Sequence, residues 1–252
     1  MFTAVQWNIG GGLLRGTLAS DDLAFEREDL ASIAESLRRY GSDIVTLQEV
    51  HESAECNQAE VLAGLTGLPY FYSKPLSHSH LDVASQSGLA ILSRWPLTDL
   101  SFHLFPNPHV QKTQPSGRVY TTFDKGALRA AVQLPNGQQL HVATLHALPF
   151  KYFGLEITGP EMQAQYRAIE TACAPTADPW LLQGDFNCKC ASLGHIVPQL
   201  FSAGALHVPL PGPTEPGGDY NDHALYRGLR LIGTEIDYTA LTDHYPVVSR
   251  FE

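Results

Sequence analysis

Short apolar runs that stop abruptly at a polar residue constrain what this chain can fold into. The clearest, Trp180-Leu181-Leu182-Gln183-Gly184-Asp185-Phe186-Asn187, reads as a buried strand ending in a carboxylate and a carboxamide. Residues two apart on an extended segment project to the same side. Asp185 and Asn187 are therefore expected to face one site, an acid able to accept a proton beside an amide able to donate to an oxyanion. Comparable ends recur at Asn8 after Val5-Gln6-Trp7, Glu49 after Ile44-Val45-Thr46-Leu47, and His146 after Val142-Ala143-Thr144-Leu145. Asp222-His223 and Asp243-His244 each lie beside a further apolar strand. A lone polar residue at a strand end is usually a turn former or cap, and Asp43, Asp99 and Asp178 are read that way. The ordered set is what carries the argument.

Between these ends, helical and extended segments alternate with no linker-like break. Strands are expected at Phe2–Ile9, Asp43–Leu47, Gly88–Ser93, Ala127–Leu134, Gln139–Leu145, Trp180–Gln183, Ala224–Tyr226 and Tyr245–Phe251. Gly10-Gly11-Gly12 releases the first strand into a loop, and Pro135-Asn136-Gly137 is a hairpin signal, so the sheet is mixed rather than purely parallel. Leu30, Ile33, Leu37 and Tyr40 predict a helix over about Asp21–Tyr40, with Ser20 or Asp21 as N-cap and Gly41 as terminator. Further helices are expected at Asn57–Leu65 and Pro160–Cys173. Segments 73–87, 103–124 and 207–219 read as long loops, which in a compact domain tend to carry function. At 252 residues and 44% hydrophobic, the chain can bury a full core, and it is read as a single catalytic domain over 1–252.

Charge and cysteine usage narrow the class. A formal charge of −10 disfavours tight nonspecific binding to polyphosphate unless cations or a local basic patch offset it, and it suits a protein that gathers a divalent metal. Cys56, Cys173, Cys188 and Cys190 show no CxxC pair, which argues against a zinc site or an obligatory disulfide framework. With no long apolar window, a soluble, cytoplasmic, monomeric protein without stable membrane association is expected.

The ordered series Trp7-Asn8-Ile9, Leu47-Gln48-Glu49-Val50, Ser87-Gly88-Leu89-Ala90-Ile91-Leu92-Ser93-Arg94, Thr144-Leu145-His146, Gly184-Asp185-Phe186-Asn187 and Thr242-Asp243-His244-Tyr245-Pro246-Val247 resembles the endonuclease/exonuclease/phosphatase superfamily. That superfamily includes deoxyribonuclease I-like and exonuclease III-like nucleases, tyrosyl-DNA phosphodiesterases, sphingomyelinases and inositol polyphosphate 5-phosphatases. The resemblance implies an α/β fold, a four-layer sandwich of two face-to-face mixed β-sheets flanked by helices, with the site at one edge.

Position by position, it implies that Glu49 is the principal metal-binding carboxylate, Asn8 a ligand or orienting amide beside it, and Asp243 a second acid near the metal. Hard oxygen donors favour Mg²⁺ or Mn²⁺ over zinc. It further implies that Asp185 aligns and deprotonates the attacking water, that Asn187 fixes a nonbridging phosphate oxygen, and that His244 contacts the scissile phosphate with Asp222 as its carboxylate partner. His146 corresponds to a histidine used beside the phosphate as donor or acid toward the leaving oxygen. The reaction implied is in-line attack of water on phosphorus.

The sequence departs from that pattern in one respect. Deoxyribonuclease-like members place a glutamate before the third strand to support the first histidine, where this chain has Gln86-Ser87-Gly88, so His146 lacks that partner. Lys125 and Arg129 are read as solvated surface cations, His223 as a structural neighbour, and His51, His78, His80, His103 and His109 as mostly solvated. Pro149-Phe150-Lys151-Tyr152-Phe153 follows His146 with three aromatics that could stack a base or line a lipid pocket, although loop aromatics more often pack on the core. The expected function is a metal-dependent phosphodiesterase acting on nucleic acid, DNA or RNA. The alternative is a phosphomonoesterase or a phospholipid or small-molecule phosphodiesterase. A noncatalytic binding module has no need of Glu49, Asp185, Asn187 and His244 together.

Overall fold

The computed structural model describes residues 1–15, 25–113, 117 and 119–252. In chain order its first half comprises β1 (Phe2–Asn8), β2 (Leu13–Arg15), β3 (Phe25–Glu28), α1 (Leu30–Arg39), β4 (Ile44–Glu52), α2 (Gln58–Thr66), β5 (Tyr70–His78), β6 (Gln86–Ser93), β7 (Leu97–Leu104), β8 (Gln111–Thr113) and β9 (Val119–Thr121). The second half comprises β10 (Gly126–Gln133), β11 (Gln139–His146), α3 (Pro160–Cys173), β12 (Trp180–Asp185), α4 (Pro198–Ser202), β13 (Leu206–His207), β14 (Asp222–Arg227), β15 (Leu231–Ile236) and β16 (Val247–Phe251). Two six-stranded sheets result, ordered β15-β16-β1-β4-β6-β5 and β13-β14-β12-β11-β10-β7. The pairs β1–β4 and β11–β12 are parallel and the other pairs in these sheets antiparallel, so both sheets are mixed.

Central strands are buried on both faces, which is why they read as near-continuous apolar runs. One face of each sheet meets the other sheet: Ala4, Ile44, Leu89 and Ile91 pack there with Leu128, Val142, Leu181 and Ala224. The opposite faces meet helices. Val5, Trp7, Val45 and Leu47 pack with Ile33 and Leu37 of α1 and Leu62 of α2. Ala143, Leu145, Trp180 and Leu182 pack with Met162, Tyr166 and Ile169 of α3. The layers run helix, sheet, sheet, helix, the expected sandwich. Truncating a fully buried interlayer residue such as Leu181 to Ala costs about 2–5 kcal/mol.

Several boundaries differ from expectation. Asp29, whose carboxylate accepts from Ser32 N at 2.9 Å, caps α1, and residues 25–28 form a strand. The expected caps Ser20 and Asp21 lie outside the described residues. Strand β4 runs past Leu47 to Glu52, with a register break between Gln48 and Val50. Strand β5 occupies the start of the expected loop 73–87, and a small β8–β9 ladder sits inside the expected loop 103–124. Among the described residues no helix is long and apolar enough to cross a membrane.

Candidate active site

Sheet register gathers the polar strand ends at one edge of the sandwich. In the second sheet His146 is level with Asp185, and Asp185 with Asp222, across three neighbouring strands. In the first sheet Asn8 is level with Gln48, and the bulge in β4 gives Glu49 a positive φ of 54°. A bulge of this kind re-aims a side chain out of the pleat alternation, here into the cleft between the sheets. Gly184 lets β12 approach β11, since a Cβ there would lie 2.4 Å from Leu145 O. The loop before β16 brings Asp243 and His244 to the same edge, and Gly10 (φ +51°) passes so close that a Cβ would sit 2.9 Å from Asp243 Oδ1.

All eight residues expected from the sequence meet here. Asp185 is the hub: Asn8 Nδ2 donates to its Oδ2 at 3.1 Å, with His146 Nε2 at 3.4 Å and His244 Nε2 at 3.9 Å from the same oxygen. His146 Nε2 lies 3.9 Å from Glu49 Oε1. His244 Nδ1 pairs with Asp222 Oδ2 at 2.8 Å, and Asp222 Oδ1 accepts from Gln6 Nε2 at 2.8 Å. Glu49, Asp243 and Asn187 line the cleft, of about 400 Å³, together with His146, Asp185 and His244. Asn187 reaches it by a different route from the one expected. Its φ is 48°, its N–H bonds back to Asp185 Oδ1 at 2.8 Å, and its Nδ2 donates to Ala147 O at 2.9 Å. Strand β12 has therefore turned rather than continued extended.

Burial and charge set the protonation states. Burial pushes the Asp185 carboxyl up, to about 8, against the pull of His244. Burial would raise Glu49 too, but His80, His146, Lys125 and His244 outweigh it and hold the acid down at about 2. Burial and then Lys125 drive His146 well below the ordinary imidazole range. Burial also works against the charged form of His244, yet Asp222, Asp185 and Asp243 hold its pKa well above that range. Asp243 is raised, mainly by burial and by its neighbour Glu49.

The donor set suits a hard divalent cation. Asp243 Oδ1 is buried with no hydrogen-bond partner, and Glu49 is a partly buried carboxylate, its side chain 12% exposed, held ionised. An unpaired buried oxygen is costly, and oxygen donors of this kind match Mg²⁺ or Mn²⁺. Asp185, Asp222 and His244 also offer ligand atoms within 4.8 Å of one another. The His244 Nδ1–Asp222 bond and the Gln6 bond occupy part of that group. Asn8 is held by Gly10 N on its Oδ1 at 3.1 Å and by Asp185 on its Nδ2, the arrangement of an orienting amide.

Lys125 overturns its reading as a solvated cation. It is buried at 8% exposure, and its Nζ lies 3.1 and 3.0 Å from the two ring nitrogens of His146. Arg129 instead donates to Thr176 Oγ1 at 3.2 Å, away from the cleft. A signal for Lys125 was present in the sequence. Counting outward from the Asn136-Gly137 turn pairs Gly126 with His146, which seats Lys125 beside the histidine. His80 lines the cleft, whereas His51 is buried and bonded to Ser79 Oγ at 2.8 Å. Beneath the site a polar ladder also went unread: Gln6 Nε2 donates to Gln48 Oε1 at 2.7 Å and Gln48 Nε2 to Thr144 Oγ1 at 2.9 Å, tying the two sheets together.

The fold recurs in solved structures. An endonuclease/exonuclease/phosphatase of Beutenbergia cavernae superposes with a TM-score of 0.74 at 17% identity, covering 100% of this chain and 71% of the other. TDP2 of D. rerio, complexed with single strand DNA product, gives 0.63 at 16%, covering 100% and 98%. The mannosyl-6-phosphatase Bt3783 of Bacteroides thetaiotaomicron gives 0.62 at 13%, covering all of both chains. In sequence, a UPF0294 protein of Vibrio cholerae is 34% identical over 131 residues, 50% of this chain and 45% of its own length. The chain thus aligns with about half the length of the curated relatives it matches. The Endonuclease/Exonuclease/phosphatase family model matches residues 5–244, nearly the whole chain. With the strand-end site in place across that span, this chain belongs to the endonuclease/exonuclease/phosphatase family, whose members are hydrolases of phosphoesters.

Proposed function

We propose that the protein is a divalent-metal-dependent phosphodiesterase acting on a nucleic acid or nucleotide substrate. The observation that carries this reading is the ring of groups around Asp185, with Asn8, His146 and His244 converging on its Oδ2 while Glu49 and Asp243 line the same cleft. Glu49 and Asp243 would hold Mg²⁺ or Mn²⁺, which when bound supplies Lewis-acid polarisation of a phosphoryl oxygen and stabilises the leaving oxygen. Asp185, oriented by Asn8 and bonded to Asn187 N, takes the proton of the attacking water. Its raised pKa makes it a stronger base than an ordinary carboxylate once ionised. His244, charged through Asp222, donates from Nε2 to a nonbridging oxygen, and the amide of Asn187 faces the same phosphate. Neutral His146 and Lys125 form the opposite flank, where negative charge develops in the in-line displacement.

A small phosphoester is the second reading, favoured by the net charge of −10 and by the bounded cleft. Hydrolysis of DNA, RNA, nucleotides, sphingomyelin and inositol phosphates in Mg²⁺ and in Mn²⁺ tests both. Phosphodiester cleavage is expected, abolished by EDTA and lowered about 10²- to 10⁴-fold by Asp185→Asn. Activity indifferent to EDTA, or full activity in that variant, rules the mechanism out.

A further inference from the structure

We propose that an arc of aromatic rings beside the catalytic groups is a subsite for the nucleobase carried by the scissile phosphate, an inference that rests on the phosphodiesterase reading above. The rings come from separate segments of the chain. His80 follows β5, Tyr120 lies on β9 and Phe123 just after it, and Tyr152 and Phe153 follow β11. Centroid separations are 5.7 Å for His80–Phe123, 6.2 Å for Phe123–Phe153, 5.1 Å for Phe153–Tyr152 and 5.7 Å for Tyr152–Tyr120. The last three contacts are edge-to-face, with interplanar angles of 72°, 79° and 90°. Such contacts fix ring orientations at little further cost in entropy. Phe153 is buried, while His80, Tyr120, Phe123 and Tyr152 line the same cleft as Lys125, His146 and Asp185. Lys112 steadies the outer end, donating to Tyr152 O at 2.6 Å with its Nζ 5.2 Å from the ring centroid.

Three features select a base over other occupants. The cleft, about 400 Å³, lies within the range of about 300–1,000 Å³ typical of small-ligand sites, so one nucleoside unit fits. A second cavity of about 450 Å³ shares His80, Tyr120 and Phe123 with it and adds Ser77, Thr121 and Asp124, polar groups suited to a base edge or a sugar. An acyl chain calls for aliphatic walls, and Leu81 and Pro149 are the aliphatic members of this lining. The chain's net charge of −10 weakens affinity from a tracked phosphate backbone, which leaves stacking as the source of grip.

The test compares kcat/KM for a dinucleoside monophosphate, its abasic counterpart and a short single-stranded oligonucleotide. The wild type is expected to prefer the base-bearing dinucleotide over the abasic one by about fivefold to a hundredfold. Tyr152→Ala and Phe123→Ala are expected to erase that ratio, and Tyr152→Phe to keep it. Equal rates on the two small substrates, an unchanged ratio in the alanine variants, or a preference for a long-chain alkyl phosphodiester overturns the subsite. Faster turnover of the oligonucleotide places the base in a strand, and faster turnover of the dinucleotide places it in a free nucleotide; both outcomes uphold a base subsite. Calorimetric binding of a nucleoside monophosphate and of ribose 5-phosphate to Asp185→Asn protein in Mg²⁺ separates the two readings. Base-dependent binding that Tyr152→Ala removes, with no phosphoester hydrolysed by the wild type, refutes the hydrolase reading and upholds the subsite. Binding that ignores the base refutes the subsite itself.

Discussion

His146 and His244 flank the same carboxylate from opposite sheets, and both are buried, yet their protonation is driven in opposite directions. His146 ends β11 in the second sheet and meets an ammonium, Lys125. His244 precedes β16 in the first sheet and meets a carboxylate, Asp222. Burial alone disfavours the imidazolium in each. For His146 the neighbouring cation acts in the same sense as burial, and the ring stays neutral. For His244 the buried carboxylate, together with Asp185 and Asp243, overrides burial, and the ring stays charged. One fold edge thus holds a neutral imidazole and an imidazolium beside one carboxylate oxygen, Asp185 Oδ2, a contrast set by partners rather than by the histidines themselves.

The largest break in that contrast comes from Asp222→Asn. Gln6 donates to Asp222 Oδ1 and would turn the new amide so that its NH₂ faces His244 Nδ1, leaving the ring no acceptor for a second proton. Both histidines would then be neutral. We expect kcat to fall on the order of ten-thousandfold, the scale expected when the acid of a His–Asp pair is neutralised and the ring is held in the wrong tautomer. The direction with pH follows from the sign of the shift. His244 in the wild type keeps its proton through neutrality because its pKa is raised, whereas in the variant it loses the proton as pH rises, so the deficit should widen from acid to neutral pH. A deficit that does not change with pH would show that Asp222 acts only as a structural anchor.

Lys125→Met is the next largest. It keeps the length of the buried side chain and removes the cation beside His146. The His146 pKa should rise toward the ordinary imidazole range, followed by NMR titration of its ring, and kcat should fall about tenfold to a hundredfold, the worth of a hydrogen bond to a charged group. An unmoved His146 titration would show that burial alone keeps that ring neutral.

These two variants also mark where the sequence was readable. Asp222 with His244 was legible from ordered motifs, and so were the eight strands that became β1, β4, β6, β10, β11, β12, β14 and β16. Each of these has a neighbour on both sides and therefore carries the apolar signal of a doubly buried strand. Within the two six-stranded sheets, the four strands that went unread, β5, β7, β13 and β15, are the four edges, and they carry exposed positions such as Phe71, Leu100, Leu206 and Ile232. Edge strands present one side to solvent and blunt it with polar residues, so periodicity fades there. Pro75 lies at the register break of β5, where a proline in a central strand would be excluded. The positive φ of Glu49 left no trace in residue identity, whereas that of Asn187 falls on a residue type that tolerates the left-handed region. Lys125 was misread because a lysine beside a strand is ordinarily solvated; its partner became visible only through hairpin register.

Glu215→Gln should have the smallest effect, and it sharpens the comparison by asking which carboxylate governs His244. Glu215 Oε1 lies 3.5 Å from His244 Nε2, on the opposite side of the ring from Asp222. The two acids are not equivalent. Asp222 is fully buried at 0% exposure and bonds Nδ1 at 2.8 Å. The Glu215 side chain is 19% exposed and also accepts from Asn221 Nδ2, so solvent and a competing donor weaken its hold on the ring. Glutamine retains an oxygen for Asn221 while deleting the charge. We expect kcat/KM to change by less than about threefold, in line with a partly exposed ion pair, and His244 to remain protonated at neutral pH by NMR. A loss as large as that of Asp222→Asn would move the control of His244 from the buried acid at Nδ1 to the partly exposed one beside Nε2, the nitrogen proposed to meet the substrate phosphate.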